Sequence, residues 1–388
     1  MELLFNGFNM VNYELKEFKT IINKLKYIDT WFWCRYTANS YQNCEHSCIY
    51  CDARSERYYL PSGFDENIYV KENASILLDR RLSRARTLLP DVVAFGGVCD
   101  AYQPAEKIYK NTRQMLEVFV KHKYPVGLST KSNLVLRDLD LFGKIASDTW
   151  SSIAFTITSL DEKVNLFLEP RASTSEERFL ALEEIKQKYP MIQTGVNFMP
   201  IVPFLADSDE NLEGMVRSTH EVGADFILFA GLTMRDKQAA FFLQKVKESY
   251  PALVEKYHEL YQGNYIPIAK DYMKNIEQKM VQYCRKYSLK YRVKRWIPSD
   301  FRRVNYLVAQ DLADQAYDLQ LQGKRYKTRL WTAHYINNLN QSITVLAQNE
   351  QLETIQNVKG TLKEEIGHLI RKYDKSKTLD IYFEQGKI

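Results

Sequence analysis

Short apolar runs alternate with longer amphipathic segments between residues 91 and 233. Five apolar runs typical of β-strands occupy residues 92–95, 126–129, 153–157, 193–198 and 225–229. Amphipathic segments at residues 105–121 and 175–188 lie between them, and each is long enough for a crossover helix. Because strands that alternate with helices at this spacing form βαβ units, the pattern predicts a parallel sheet.

A sixth strand is predicted close to a cysteine cluster at residues 44–51, ahead of the other five. Six parallel strands with their helices predict an α/β fold that forms an incomplete parallel barrel. Beyond residue 236 the pattern changes to amphipathic helices, with one short β-like piece at residues 290–296. The main predicted helices of this part lie at residues 241–260, 266–286 and 308–322. The fold is therefore predicted to combine a barrel core with a mostly helical C-terminal extension.

These changes of pattern divide the chain into four predicted parts. They are an N-terminal segment at residues 1–29, a core at 30–235, a helical basic extension at 236–330 and a small helical domain at 331–388. The composition is that of a globular protein, with 45% hydrophobic and 26% charged residues. No apolar run approaches the ~20 residues that span a bilayer, and the N-terminus lacks the features of a signal peptide. We therefore predict a cytoplasmic protein with no membrane partner.

Three of the six cysteines lie within eight residues, at Cys44, Cys48 and Cys51. Six cysteines are too few for a disulfide scaffold, and such clustering is typical of metal binding in a reducing compartment. Three thiolates at this spacing predict a loop around a 4Fe–4S cluster in which one iron stays open for a small molecule. Tyr50 stands before the last cysteine, where an aromatic residue is typical of a loop that packs beside an adenine. The alternative is a zinc site that Cys34 or His46 completes.

Several further motifs accompany the cysteines. They occupy residues 43–54 (Asn-Cys-Glu-His-Ser-Cys-Ile-Tyr-Cys-Asp-Ala-Arg), 96–104 (Gly-Gly-Val-Cys-Asp-Ala-Tyr-Gln-Pro), 130–132, 168–172 and 199–203. Over about residues 30–235 the chain resembles the radical-SAM proteins of the spore photoproduct lyase-like family. The resemblance implies a partial (β/α)6 barrel with the cluster at the carboxyl ends of the strands. It also implies that S-adenosylmethionine binds the open iron. An external donor such as a ferredoxin or flavodoxin would then supply the electron that generates a 5′-deoxyadenosyl radical.

Five residues besides Tyr50 are predicted to contact the cofactor. Gly96 and Gly97 end an apolar strand without side chains, so the backbone there could approach a ligand closely, although an ordinary turn has the same pattern. The resemblance implies that Lys131 pairs with the cofactor carboxylate. Thr156 and Ser159 carry hydroxyls that could reach the same carboxylate or the ribose, although threonine is common in strands for packing reasons alone.

Cys99 marks a departure from the family pattern. In the lyase that gives the family its name, a cysteine after the second strand returns a hydrogen atom to the product radical, and that position is Gly97 in this chain. Cys99 lies two residues further on. A thiol is a suitable donor because its S–H bond is weaker than the C–H bonds that it would repair. Cys99 is therefore a candidate catalytic residue, and a small buried residue is the alternative.

The C-terminal part carries most of the positive charge. Residues 241–388 contain 25 Lys and Arg against 16 Asp and Glu, whereas residues 1–240 contain 28 against 32. Basic and aromatic residues interleave at residues 285–296 and 324–329, which suits phosphate contacts and base stacking as well as ordinary amphipathic helices. Residues 352–366 resemble a degraded helix-hairpin-helix in which Asn357 and Lys359 replace the two glycines. A helical cap is the alternative for this segment.

Together these features favour a radical-SAM enzyme that acts on nucleic acid, by resemblance a DNA photoproduct lyase. The first alternative is a radical-SAM enzyme that modifies RNA, a nucleotide or a peptide. The second is a non-catalytic zinc or iron–sulfur module that binds nucleic acid through its basic C-terminal half.

Overall fold

A computed structural model describes residues 11–84 and 88–374 of the chain. The described residues form two compact units. Unit 1 contains residues 11–24 and Tyr36–Lys294 with the gap noted, and unit 2 contains Leu25–Arg35 and residues 295–374. The four-part division stays a prediction. Among the described residues, no helix combines the length and the apolar character that a membrane crossing requires.

Unit 1 is built on two β-sheets. Its strands are β1 (Asn12–Lys16), β2 (Ile22–Lys24), β3 (Tyr36–Ala38), β4 (Tyr41–Gln42), β5 (Asn67–Lys71), β6 (Val93–Phe95), β7 (Val126–Thr130), β8 (Ser151–Thr156), β9 (Gln193–Ile201) and β10 (Phe226–Gly231). The large sheet has the order β10-β9-β8-β7-β6-β3-β2, and the small sheet has the order β1-β5-β4. In the large sheet, β3 and β6 to β10 are parallel to one another, and β2 is antiparallel to β3.

The six parallel strands confirm the predicted α/β sheet. The sheet is open, because its order ends at β2 on one side and at β10 on the other. All six residues of β8 are buried, which is the pattern of a strand covered on both faces. The predicted first strand near the cysteines is β3, which pairs with β6.

Helices connect the strands of unit 1 and make up most of unit 2. Those of unit 1 are α1 (Ala74–Ser83), α2 (Ala105–Tyr109), α3 (Asn111–His122), α4 (Leu139–Asp148), α5 (Glu162–Leu168), α6 (Ser175–Lys188), α7 (Asp209–Glu221), α8 (Asp236–Ser249), α9 (Val254–Tyr261) and α10 (Lys270–Lys286). Those of unit 2 are α11 (Arg302–Leu321), α12 (Lys327–Asn337), α13 (Ile343–Gln348) and α14 (Gly360–Tyr373). The start of α6 is fixed by a capping box between Thr174 and Glu177, at the residue that the pattern predicts.

Two predicted helices are interrupted. The helix predicted at residues 105–121 breaks at Lys110, whose φ of 52° is left-handed. The buried carboxylate of Glu106 there accepts a hydrogen bond from the N–H of Thr112 at 2.9 Å, and so caps the start of α3. The helix predicted at residues 241–260 breaks at Pro251, which starts a 3-10 turn between α8 and α9.

Two other predicted segments of the C-terminal half are less regular than the sequence indicates. The β-like piece at residues 290–296 contributes one isolated parallel bridge, between Lys290 and Phe226. In the predicted helix-hairpin-helix, a 3-10 turn at Leu352–Thr354 stands where the first α-helix is expected. Asn357 does adopt the left-handed conformation expected of it, with φ of 70°, and α14 follows.

Candidate functional site

The three clustered cysteines lie on one loop between β4 and a 3-10 turn at Asp52–Arg54. Cys44 and Cys48 are buried and Cys51 is half-buried. The loop turns sharply at Asn43 and Ser47, whose φ angles of 66° and 58° are left-handed. Asparagine accepts this conformation more readily than most residues, so the local sequence favours the bend ahead of Cys44.

Backbone and side-chain hydrogen bonds fix the loop against its neighbours. The N–H of Cys44 donates to the carbonyl of Phe64 at 3.0 Å. The amide of Gln103 accepts from the N–H of Glu45 at 3.0 Å and donates to the carbonyl of Asn43 at 3.2 Å. The Glu45 carboxylate accepts from the N–H of Ala105 at 2.5 Å. The loop is therefore anchored to the segment that follows β6.

Asp100, in that segment, joins the cysteine loop to the end of β7. Its carboxylate accepts hydrogen bonds from the Thr130 hydroxyl at 2.8 Å and from the N–H of Lys131 at 2.7 Å. It also faces His46 Nε2 at 3.3 Å. Its own N–H donates to the sulfur of Cys44 at 3.5 Å. Burial raises the pKa of Asp100, but its interaction with His46, the charge of Lys131 and a hydrogen bond from the N–H of Tyr102 together hold it below its usual range.

The thiols lie in an environment that opposes their ionisation. Burial raises the pKa of Cys44, raises that of Cys48 to about 12 and raises that of Cys51. The positive charge of Lys131 acts in the opposite direction on Cys48 and Cys51. Buried thiols next to a cation fit a site in which the cysteines lose their protons only when they bind metal.

Lys131 directly follows β7, and its ammonium group lies 5.8 Å from the centre of the Tyr50 ring. Burial lowers its pKa, but the nearby Cys48, Glu169 and Asp100 raise it above the usual range, so the group is a stable cation. Within the described residues no carboxylate oxygen lies within 4.0 Å of this nitrogen, so the ammonium is available to an acidic ligand.

Tyr50 is tied to a buried ion pair. Its hydroxyl donates to the Glu169 carboxylate, which lies 2.5 Å from the guanidinium of Arg178, with both charged side chains fully buried. Arg178 also donates to the carbonyl of Thr156, the last residue of β8, at 2.6 Å. The network therefore connects the cysteine loop, the end of β8 and α6.

Arg178 is a residue that the sequence reasoning missed. Glu169 and Arg171 flank Pro170 in the sequence, which favours a local ion pair between them, whereas the structure pairs Glu169 with Arg178. One signal was available in the sequence. Arg178 stands four and seven residues before Leu182 and Ile185, on the buried face of α6 where an apolar residue is the rule.

The two glycines after β6 differ in their surroundings. Gly96 has a φ of 85°, and a Cβ atom there would lie 2.1 Å from the carbonyl oxygen of Ser129. Gly96 is therefore required for the close packing of the loop against β7. Gly97 is exposed and has open space around its Cα, so a ligand can approach the backbone there.

The remaining predicted residues have contacts within the protein. The Ser159 hydroxyl accepts from the N–H of Asp161 at 3.0 Å in the turn before α5. Thr156 is buried at the end of β8. Cys99 is 4% exposed, and its thiol donates to the carbonyl of Tyr41 at 3.2 Å within an apolar cluster. The site roles of these three residues stay predictions.

The sequence offers His46 and Cys34 as candidates for the fourth ligand of a zinc site. The structure places each of them in other surroundings. Both ring nitrogens of His46 have neighbours, the carbonyl of Arg171 at 3.0 Å and the Asp100 carboxylate. Cys34 belongs to unit 2, whereas the cysteine loop belongs to unit 1. Within residues 11–84 and 88–374, no three His, Cys, Asp or Glu side chains converge as ligands of one metal ion. A cluster needs no such convergence, because each cysteine binds a different iron.

Comparison with known proteins gives the class of fold. No protein-family model matches the chain. An uncharacterized protein of Mycobacterium tuberculosis is 29% identical over 260 residues, which cover 66% of this chain and 75% of that protein. Another, from Methanocaldococcus jannaschii, is 29% identical over 222 residues, which cover 57% of this chain and 78% of that protein.

Solved structures of spore photoproduct lyase are similar to the chain. A mutant of that enzyme matches with a TM-score of 0.55 at 15% identity, over 71% of this chain and 79% of the lyase. A second mutant, with bound AdoMet and dinucleoside spore photoproduct, matches with a TM-score of 0.53 at 14% identity over the same shares. The chain therefore has a fold similar to that of spore photoproduct lyase, and the predicted resemblance is confirmed at the level of the fold.

Proposed function

We propose that the chain is a radical-SAM enzyme that binds a 4Fe–4S cluster through Cys44, Cys48 and Cys51 and acts on nucleic acid. The observation that carries the proposal is the cysteine site, which we define as these three cysteines with Asp100 and Lys131. Its three thiols share one hydrogen-bonded loop at the carboxyl ends of parallel strands, in the fold of spore photoproduct lyase. In open α/β sheets this edge is where ligands bind.

The residues of the cysteine site suit such a cluster. The N–H of Asp100 already donates to the Cys44 sulfur, and hydrogen bonds to ligand sulfurs stabilise their negative charge. Lys131 adds a positive charge beside Cys48 and Cys51. Three cysteine ligands leave one iron without a protein ligand, which is the position that S-adenosylmethionine requires.

The same residues suit S-adenosylmethionine. When bound, the cluster supplies the electron that splits this cofactor into methionine and a 5′-deoxyadenosyl radical. Lys131 would hold the cofactor carboxylate, since its ammonium group has no carboxylate partner among the described residues. Gly97 would let the cofactor approach the backbone, and Tyr50, on the cysteine loop, would form one wall of the site. Thr156 and Ser159 stay candidates for the carboxylate or the ribose.

We propose DNA as the substrate and photoproduct cleavage as the reaction. Some of the solved lyase structures contain a dinucleoside spore photoproduct, and this chain has a similar fold. The excess of basic residues after residue 241 supports a polyanionic partner. An external one-electron donor, such as a ferredoxin or flavodoxin, would complete the system.

Anaerobic reconstitution tests the cluster and its cofactor. With iron and sulfide, the protein should turn brown and hold ~4 iron atoms per chain. Dithionite and S-adenosylmethionine should then yield 5′-deoxyadenosine. A matched control is the triple Ala variant of Cys44, Cys48 and Cys51, which should stay colourless. Colourless wild-type protein that carries zinc would refute the enzyme proposal and support the zinc module.

A substrate panel tests the reaction. UV-irradiated DNA, the corresponding RNA and unirradiated DNA are each incubated with the reconstituted enzyme under the same reducing conditions. Restored thymine in the irradiated DNA alone supports the lyase. Conversion of the RNA instead would keep the radical chemistry and replace the substrate.

A further inference from the structure

Unit 2 carries a group of aromatic side chains that is partly open to solvent. We call Tyr27, Trp331 and Tyr335 the aromatic platform. Trp331 is 41% exposed, although tryptophan is usually among the more buried residues. Its ring meets Tyr27 edge to face at 5.4 Å and lies nearly parallel to Tyr335 at 6.2 Å. His334 also contacts the indole edge to face, at 5.5 Å. These contacts hold the indole in a defined orientation while leaving part of it uncovered.

Exposure alone does not identify a partner, because single exposed aromatic residues are normal. The charges around the platform are more specific. Lys327 stands four residues before Trp331 on α12, and Tyr335 stands four residues after it, so the three lie along one face of the helix. On the neighbouring segment, the ammonium group of Lys26 lies 5.4 Å from the centre of the Tyr27 ring.

Two exposed lysines lie beside the platform. Neither Lys26 nor Lys327 forms an ion pair with any described residue of the chain, and both are exposed. Arg329, on the same helix, shows the contrast, because it pairs with Glu365 at 2.7 Å. The nearby Asp29 carboxylate accepts the N–H of Trp31 at 2.8 Å. The platform therefore combines flat aromatic surface with free positive charge.

An unpaired nucleotide matches this combination. Its base offers a flat face to an indole, and its phosphate offers a negative charge to the lysines on either side. A base inside a duplex has both faces covered by its neighbours, so duplex DNA cannot use the aromatic surface in the same way. We propose that the aromatic platform binds single-stranded nucleic acid, with a base stacked on Trp331 and phosphates contacted by Lys327 and Lys26. The proposal rests on the proposed function for the class of substrate, and it adds the strandedness and the contact residues.

The test is equilibrium binding of fluorescent oligonucleotides to full-length protein without the cluster. Fluorescence anisotropy is followed with oligo-dT, oligo-U and a duplex of equal length. The wild type should bind a single strand more tightly than the duplex; tighter binding of oligo-dT indicates DNA and tighter binding of oligo-U indicates RNA. Trp331→Leu removes the aromatic face and should weaken single-strand binding about 5- to 150-fold, since stacking is worth ~1–3 kcal/mol per base. Trp331→Phe keeps a stacking ring and should retain most of the affinity.

Salt dependence tests the charges separately. Lys327→Gln should reduce the slope of log affinity against log salt by about 0.7, which is the value for one phosphate contact with a single strand. Lys363→Gln is the matched control, because Lys363 is already paired with Glu353 at 2.7 Å, and its slope should equal that of the wild type. If Trp331→Leu does not fold by circular dichroism, Trp331→Phe and Lys327→Gln still decide the question.

Three results would overturn the proposal. They are equal affinity of the wild type and Trp331→Leu for single strands, tighter binding of the duplex, and binding to anionic lipid vesicles but not to oligonucleotides. The assay needs no cluster, so it is independent of S-adenosylmethionine cleavage. Failure of cofactor cleavage would refute the enzyme proposal and leave the binding result intact. Failure of oligonucleotide binding would refute the platform proposal and leave the cofactor-cleavage result intact.

Discussion

The cysteine site of unit 1 and the aromatic platform of unit 2 differ in the burial and pairing of their charged side chains. At and around the cysteine site, charged side chains are buried and most have partners within the chain, as in Asp100 with its hydrogen bonds and Glu169 with Arg178. At the platform, Lys26 and Lys327 are exposed and have no ion-pair partner among the described residues. The first arrangement fixes geometry, and the second leaves charge free for another molecule.

The physical reason is the cost of burying charge. A buried charge without a partner is strongly unfavourable, so a site that must hold a small ligand in one position pairs most of its buried charges internally. An exposed lysine stays hydrated at little cost, and its contact with a phosphate releases counterions. This difference is what our two proposals expect of one unit that holds a small cofactor and another that contacts a large polyanion.

The strongest test of this separation is Cys48→Ala. The variant should lose nearly all reconstituted iron and all 5′-deoxyadenosine formation, because one of three protein ligands is removed. Its affinity for single-stranded oligonucleotide should stay within about twofold of wild type, because a substitution at one site does not change the energetics of an independent site. Iron is measured after reconstitution and binding by anisotropy.

Cys284→Ala provides the matched control for Cys48→Ala. Burial raises the pKa of both thiols to about 12, but Cys284 lies on α10 and outside the cysteine site. The control should keep its iron. If Cys48→Ala kept its cluster, or if Cys284→Ala lost it, the assignment of the ligands would be wrong.

The next largest expected effect is a difference in stability between two variants, one that breaks a buried ion pair and one that breaks an exposed ion pair. Arg178→Met should lower the free energy of unfolding by ~3–5 kcal/mol, because it leaves the Glu169 carboxylate buried without its partner. Lys188→Gln removes a 61%-exposed lysine from an ion pair with Glu184 on the same helix and should cost at most ~0.5 kcal/mol. Urea unfolding of the cluster-free protein measures both. Equal shifts in the two variants would contradict the contrast between buried and exposed charge.

The two glycines after β6 separate packing from ligand access. Gly96→Ala should destabilise the protein by ~1–3 kcal/mol, because its φ of 85° and the Ser129 carbonyl both exclude a Cβ atom. Gly97→Ala should change stability by less than ~0.5 kcal/mol, since the space beside it is open. If the backbone of Gly97 contacts the cofactor, this variant should bind S-adenosylmethionine more weakly after reconstitution. Tight binding by Gly97→Ala would remove Gly97 from the cofactor site.

The sequence predicted well those structural features that depend on residues close together in the chain. The apolar runs predicted five of the six parallel strands, the sixth was expected close to the cysteines, and the amphipathic pattern predicted the start of α6. The spacing of the cysteines placed them on one loop. The break at Lys110 was missed, because amphipathic periodicity continues across it and the cap comes from the Glu106 side chain.

Features that depend on distant residues could not be predicted in the same way. Asp100 contacts His46 and the end of β7 only after the sheet has assembled. Arg178 meets Glu169 where it also donates to the carbonyl of Thr156 at the end of β8, and no local pattern specifies that partner. Tyr27 and Trp331 lie far apart in the chain and come together only when unit 2 folds.

The smallest expected effect, at Cys99, decides between two roles for a thiol. The structure favours a packing role, because the side chain is 4% exposed and its S–H donates to the Tyr41 carbonyl beside Ile68 and Val70. Cys99→Ala should therefore lower the free energy of unfolding by ~1 kcal/mol through the lost hydrogen bond and sulfur contacts. Product analysis on whichever substrate the panel converts should show the wild-type distribution. A thiol that returned hydrogen to a product radical would give a different result, because radicals without a donor are diverted to side products. Such side products in Cys99→Ala, with cofactor cleavage retained, would show that the loop after β6 moves enough to bring this thiol to the substrate.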